Sequence, residues 1–194
     1  NREALIVAGY ELISAKGIDA TTMGEIAEKA DVASGTVYNY FTSKDELVIA
    51  VMERVMHRLA ERIEQVTNRF SEPDHVYAFG IRSVMLATIE DPRWRGLLNR
   101  TEVIADAMYR VMGPFAIRDI KAARDAGAYV VTDPELVWRL ATHAIVGFGL
   151  SVNHGDVGVT ALNQATVALL GMVGVSPTEA RRIVHRKWPL LPPE

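Results

Sequence analysis

Residues 21–47 read TTMGEIAEKADVASGTVYNYFTSKDEL, and the reading of this stretch decides the fold. Thr22 and Glu25 stand at the spacing of a capping box, in which each side chain satisfies the other's backbone donor at a helix start. The helix they open is short, because Ala30-Asp31-Val32 supplies a turn. A second short helix is predicted from about residue 33 to 41. Ser43-Lys44-Asp45-Glu46 repeats the capping-box spacing and opens a much longer helix. Upstream, Leu5, Ala8, Leu12 and Ile13 recur at helical spacing. That first helix stops at Lys16-Gly17-Ile18, where Gly17 can take the left-handed C′ position and Ile18 can fold back. Two short helices joined by a tight turn and braced by a third have the geometry of a helix-turn-helix.

In such a unit the second helix of the pair can lie in the major groove, while helix dipoles and side chains grip the flanking phosphates. Val37 and Phe41, four apart, are expected to face inward. Thr36, Tyr38, Asn39 and Tyr40 are then left toward the groove. Hydroxyls of threonine and tyrosine reach phosphate oxygens, and asparagine can pair with an adenine edge. Lys44 is placed to neutralise a phosphate. The bland alternative, in which Tyr38 and Tyr40 only pack a small core, stays open. Residues 1–48 carry four basic and eight acidic side chains, a formal −4, so affinity must rest on few phosphate contacts.

Outward from this stretch the chain continues as helices. Val48, Met52, Val55, Leu59, Ile63, Val66 and Phe70 form one apolar stripe, ending before Ser71-Glu72-Pro73. Breaks are expected at Asp91-Pro92, Gly113-Pro114 and Thr132-Asp133-Pro134, with a loop at Asn153-His154-Gly155-Asp156. Ser176-Pro177-Thr178-Glu179 gives a third capping box, with proline at N1, opening a basic last helix. The tail from Trp188 is too proline-rich to be helical. About nine or ten helices and no strand are predicted: an all-α chain, with a three-helix head over residues 1–47 and a helical domain over 48–194.

Composition sets the bounds. The 194 residues include no cysteine, and net charge is −3. Disulfides, thiolate metal sites and cysteine nucleophiles are excluded, and a cytoplasmic setting is expected. No charged-then-apolar leader opens the chain, so no secretory signal is expected. Residues 157–178 carry no formal charge, but polar interruptions leave a strongly apolar run far below the ~20 residues of a spanning helix; no membrane segment is expected. His57, His75, His143, His154 and His185 are scattered without HExxH spacing, and neither a GxSxG elbow nor a Walker loop is present. No metal, cofactor or enzymatic activity is expected.

The run from residue 21 to 47 closely resembles the N-terminal signature of the tetracycline-repressor (TetR) family, with its Thr-x-x-x-Ile-Ala start, valine turn and Gly-Thr-x-Tyr-x-Tyr-Phe-x-x-Lys-x-x-Leu ending. The resemblance implies a symmetric dimer that represses transcription from a palindromic operator on double-stranded DNA and is released by a small-molecule inducer. It also implies DNA contacts from Thr22, Ser34, Gly35, Thr36, Tyr38, Asn39, Tyr40 and Lys44. Two positions depart from the pattern: Ala33 stands where a capping serine is common, and Met23 where some relatives read a base with arginine.

Members of that family usually dimerise through their last two long helices, expected here near residues 134–152 and 160–173. Ala161, Ala165, Ala168 and Met172 form a close-approach stripe that suits such an interface, although a monomer core could also hide it. Trp94, Met108, Tyr109, Met112, Phe115, Trp138, His143 and Phe148 are bulky residues of the middle helices and candidate pocket lining, with plain core the competing reading. The leading functional expectation is a ligand-responsive dimeric repressor. The alternative is a small-molecule-binding helical protein whose acidic head binds DNA weakly.

Overall fold

The computed structural model describes residues 1–193. Its order is α1 (Arg2–Lys16), α2 (Met23–Lys29), α3 (Ser34–Val37), α4 (Lys44–Thr67), α5 (Pro73–Glu90), α6 (Pro92–Arg95), α7 (Thr101–Asp125), α8 (Pro134–His154), a 3₁₀ turn (Val159–Ala161), α9 (Leu162–Met172) and α10 (Pro177–Val184). No strand occurs among the described residues. No helix among them is long and apolar enough to cross a membrane.

Local chemistry accounts for most boundaries. Thr22 Oγ1 accepts from Glu25 N, and Glu25 Oε2 accepts from Thr22 N at 2.9 Å, so the first capping box is complete. At the second, Ser43 Oγ caps Glu46 N, but the Glu46 carboxylate reaches back to Thr42 N at 2.7 Å instead of to Ser43. The third is likewise half a box: Ser176 caps Glu179 N, while the Glu179 carboxylate pairs with Arg182. Gly17 has φ +86°, yet its ψ of 169° is extended, so the chain leaves α1 straighter than a left-handed C′ residue would direct it.

Two expected boundaries move. The helix predicted over 33–41 is a single α-helical turn, Ser34–Val37, continued by turns that hold Tyr40 N and Phe41 N on Val37 O. Ala33 has no side chain to cap it, and Phe41 is drawn wholly into the core. Gly113-Pro114, read as a break, lies inside α7. An interior proline costs about 3 kcal/mol through its missing donor. Burial of Met108, Met112, Ile120 and Ala123 along the same helix offsets that.

Helix α4 belongs to both parts of the chain: its first turns brace α1, and the rest packs on α5 and α7. Helix α5 lies at the centre, touching α4, α7, α8, α9 and α10. Its approach to α8 is very close: a Cβ added at Gly149 would lie 2.6 Å from Thr88 Cβ. The tail folds back, with Trp188 against Phe70, Phe79 and His75, and Arg62 Nε donating to Pro192 O at 2.6 Å.

Candidate functional site

The head presents a polar face built on a buried hinge. Val37 and Phe41 are fully buried, as are Ile26 and Ala27 of α2. The turn between α2 and α3 is fixed by Asp31, whose φ of +54° puts it in the left-handed region that aspartate tolerates better than most residues. With that hinge anchored, Thr22, Ser34, Gly35, Tyr38, Asn39 and Tyr40 are exposed, and Thr36 and Lys44 are half-buried. Tyr38 is 58% exposed, far more than a ring recruited to the core. Lys44 Nζ reaches Asp19 O at 3.3 Å, holding the ammonium beside this face. Thr22 is committed to its cap through Glu25.

The acidity of the head is moderated by ion pairs. Glu25 pairs with Lys16 at 2.5 Å and Glu11 with Lys29 at 2.8 Å. Glu3 pairs with Arg54, and Asp45 with Arg100 at 2.9 Å. The last two arginines, Arg54 and Arg100, come from outside the first 48 residues and offset part of the head's own −4. The hydrogen bonds from Lys16 and Thr22 pull the Glu25 carboxyl down to about 2.

The head joins the remaining helices through a stacked contact. Arg93 of α6 is clamped by Asp91 at 2.6–2.9 Å and lies over the Tyr10 ring of α1, and Arg58 of α4 covers the same ring. Trp94 beside it is 1% exposed.

Between α4, α5, α7 and α8 lies a cavity of about 60 Å³, open to solvent at its mouth. Ala60, Ile63, Val76, Ile81, Val84, Met112, Phe115 and Ala116 make its apolar wall, and Glu64, Thr67, Tyr77, Asp119 and Trp138 add polar atoms. Glu64 is held by Arg118 at 2.7 and 3.1 Å, and Thr67 donates to Ile63 O. Asp119 accepts from Arg118 Nε at 2.8 Å, yet burial still raises its carboxyl above the usual range, and Glu64 adds to the effect. Tyr77 Oη and Trp138 Nε1 are buried without a hydrogen-bond partner. Burial pushes the Tyr77 phenol well up, which keeps it protonated.

Of the residues singled out as pocket lining from sequence, the structure brings Met112, Phe115 and Trp138 together around this cavity. Met108 is fully buried but does not line it, and Trp94 lies at the junction with the head. Tyr109 packs its ring under Arg139, 3.5 Å from the guanidinium carbon, on the outer side of α7. Phe148 is half-buried against the core. His143 is exposed, with Nδ1 2.9 Å from Arg139 O. Helical periodicity could not separate the inner from the outer faces of α7 and α8, since both carry bulky apolar residues. Tyr77, Asp119 and Val76 were missed: a tyrosine inside an apolar helix carries no sequence mark that its hydroxyl lacks a partner.

The outer surface of α8 and α9 is apolar and open. Leu136 and Leu140 are 54% and 51% exposed, and His143 and Ala144 continue the line. On α9, Leu162, Thr166, Leu169 and Leu170 turn inward; Ala168 is exposed, and Ala161, Ala165 and Met172 are half-buried. Added Cβ atoms at Gly147 and Gly171 would meet nothing within 4 Å, so both helices offer flat ground for close approach.

Two family models match successive stretches of the chain. Residues 5–51 match the model of the bacterial regulatory proteins of the tetR family, and residues 72–186 match that of the tetracyclin repressor-like C-terminal domain. The chain is 29% identical over 106 residues to the HTH-type transcriptional repressor KstR of Mycolicibacterium smegmatis, covering 55% of this chain and 52% of that protein. It is 37% identical over 62 residues to the HTH-type transcriptional regulator YvdT of Bacillus subtilis, covering 32% of each. The chain thus spans between about a third and about half the length of these curated relatives. The crystal structure of RolR in complex with resorcinol superposes with a TM-score of 0.88 at 27% identity, covering 98% of this chain and 96% of that one. The chain belongs to the tetR family of bacterial regulatory proteins.

Proposed function

We propose that this tetR-family chain is a dimeric transcriptional repressor, released from a palindromic operator when a small apolar or amphipathic molecule enters the cavity between α4, α5, α7 and α8. The observation that carries the reading is the pairing of a polar face on a buried turn, around α3, with a mostly apolar cavity further along α4. Thr36, Tyr38, Asn39, Tyr40 and Lys44 contact DNA in this scheme, with Ser34 and Gly35 offering backbone donors and Thr22 the start of α2. Affinity comes from these contacts and two-fold repetition, since the head lacks a basic surface. The open faces of α8 and α9, including Ala161, Ala165, Ala168 and Met172, pack against a second copy, which sets the spacing of the two heads. The resorcinol complex of RolR supports a small molecule as the effector, because the two chains share their fold over nearly their full length.

Occupancy of the cavity reaches the head through α4, which lines the cavity with Ala60, Ile63, Glu64 and Thr67 and carries Lys44 at its other end. A shift of α4 also disturbs the Arg58–Tyr10–Arg93 stack, and so the tilt of α1. Fluorescence anisotropy on a fragment from the promoter of the protein's own gene tests the reading. Thr36→Ala with Lys44→Ala should abolish specific binding, and Lys44→Ala alone should flatten the salt slope by about one phosphate. Retention of full affinity by the double variant would remove these residues from the interface. Absence of specific binding by the unaltered protein would favour the second reading, a ligand-binding helical protein with a weak head, for which the formal −4 speaks.

A further inference from the structure

We infer that the cavity is built for a neutral, hydroxyl-bearing aromatic molecule, held by Trp138 Nε1 and Tyr77 Oη. The inference rests on the reading that this cavity receives the effector. Two observations carry it. The first is polar: among the groups around the cavity, Tyr77 Oη and Trp138 Nε1 are buried and have no partner, although the residues are only 5% and 3% exposed. A buried polar group left unpaired is destabilising. Two such groups on one small cavity mark where a ligand's hydrogen-bonding atoms belong. The indole N–H can only donate, so the ligand presents an acceptor oxygen there. The phenol can donate and accept, so it suits a second hydroxyl.

The second observation is electrostatic. No lysine, arginine or histidine lines the cavity, and the two acidic side chains that do, Glu64 and Asp119, already accept from Arg118. An anionic ligand would enter beside two carboxylates with no further cation on the wall to meet it, and an unpaired buried charge is strongly disfavoured. Phe115 and the Trp138 ring give the wall the flat aromatic surfaces on which a ring packs.

The experiment uses the full-length protein and four probes: resorcinol, phenol, toluene and benzoate. Isothermal titration calorimetry measures binding, and anisotropy on the promoter fragment measures release. Resorcinol should bind more tightly than phenol, and phenol more tightly than toluene, with benzoate undetected. Tyr77→Phe removes only an unpartnered hydroxyl, so the ligand-free melting temperature should stay level or rise. Resorcinol affinity should meanwhile fall about tenfold, the worth of one hydrogen bond near 1.4 kcal/mol. Trp138→Phe should weaken both phenols. Binding of benzoate in preference to the phenols would overturn the ligand class. Phenol binding unchanged in both variants would overturn the assignment of the two atoms. Failure of all four probes to bind would also overturn the proposal. If another molecule then released the DNA, the ligand-responsive repressor would stand without it.

Discussion

Replacing Gly149 with alanine adds one methyl group where α8 passes very close to α5. In the middle of a helix this change ordinarily stabilises by about 0.5–1 kcal/mol, because alanine gives up less backbone freedom on folding. At Gly149 the new Cβ would sit 2.6 Å from Thr88 Cβ and closer still to Thr88 Oγ1. Thr88 is fully buried, with its hydroxyl donating to Met85 O at 2.7 Å. A Cβ is fixed to the backbone, so α5 and α8 must separate. Overpacking of this kind costs about 1–3 kcal/mol and sometimes more. Taking the upper part of that range against the helix gain leaves a net loss of about 2 kcal/mol, or about 4–8 °C in melting temperature for a chain of this length.

Gly9 provides the internal control. There the added Cβ would meet Leu47 Cδ2 at 2.9 Å and Val51 Cγ2 at 3.0 Å, side-chain methyl groups that need to give by only a few tenths of an ångström. Gly9→Ala should therefore stay within about 1 kcal/mol of the parent. Thermal unfolding followed by circular dichroism, at one fixed protein concentration, gives both numbers. A mutant cycle locates the clash. Thr88→Gly should rescue Gly149→Ala with a coupling above about 1 kcal/mol, while Thr88→Ala should rescue it only in part, because it removes Oγ1 but keeps the Cβ. A Gly149→Ala protein melting at or above the parent temperature, or full rescue by Thr88→Ala, would show that the two backbones do not clash at Thr88.

Leu140→Glu should convert a dimer to a monomer in analytical ultracentrifugation without unfolding the monomer, since Leu140 is already half exposed in the single chain; an unchanged sedimentation coefficient would move the interface elsewhere. The capping carboxylate Glu25 has its pKa lowered to about 2 by Lys16 and Thr22. Its stabilisation is therefore complete above about pH 4.5, the unperturbed value, and fades as pH falls toward 2. Glu25→Gln should remove that portion of the acid sensitivity in a pH series of thermal melts, and an unaltered profile would show that the carboxylate does not act through its charge. Thr22→Ala should cost about 1 kcal/mol in the same assay by removing the cap of α2.

Much of the head was legible in the linear sequence because its determinants are local. The capping pair Thr22 and Glu25, the turn at Asp31 and the i, i+4 pair Val37 and Phe41 each act within one or two helical turns. Both short helices and the exposed face between them are therefore encoded locally. It erred where a long-range term overrode the local one: Gly113-Pro114 stays inside α7 because burial on both sides outweighs one lost hydrogen bond, and Glu46 chose Thr42 over Ser43. The cavity depended on tertiary structure throughout. Periodicity marks an apolar residue as buried but does not say whether it faces a neighbour or a void, so Met108 and Met112 look alike in sequence and differ in the fold. Whether Tyr77 and Trp138 find partners depends on residues brought alongside by four separate helices. Sequence alone thus determined the helices and the reading head, through contacts a few residues apart. Only the packing of α4, α5, α7 and α8 decided where the cavity lies and which polar atoms beside it are left without a partner.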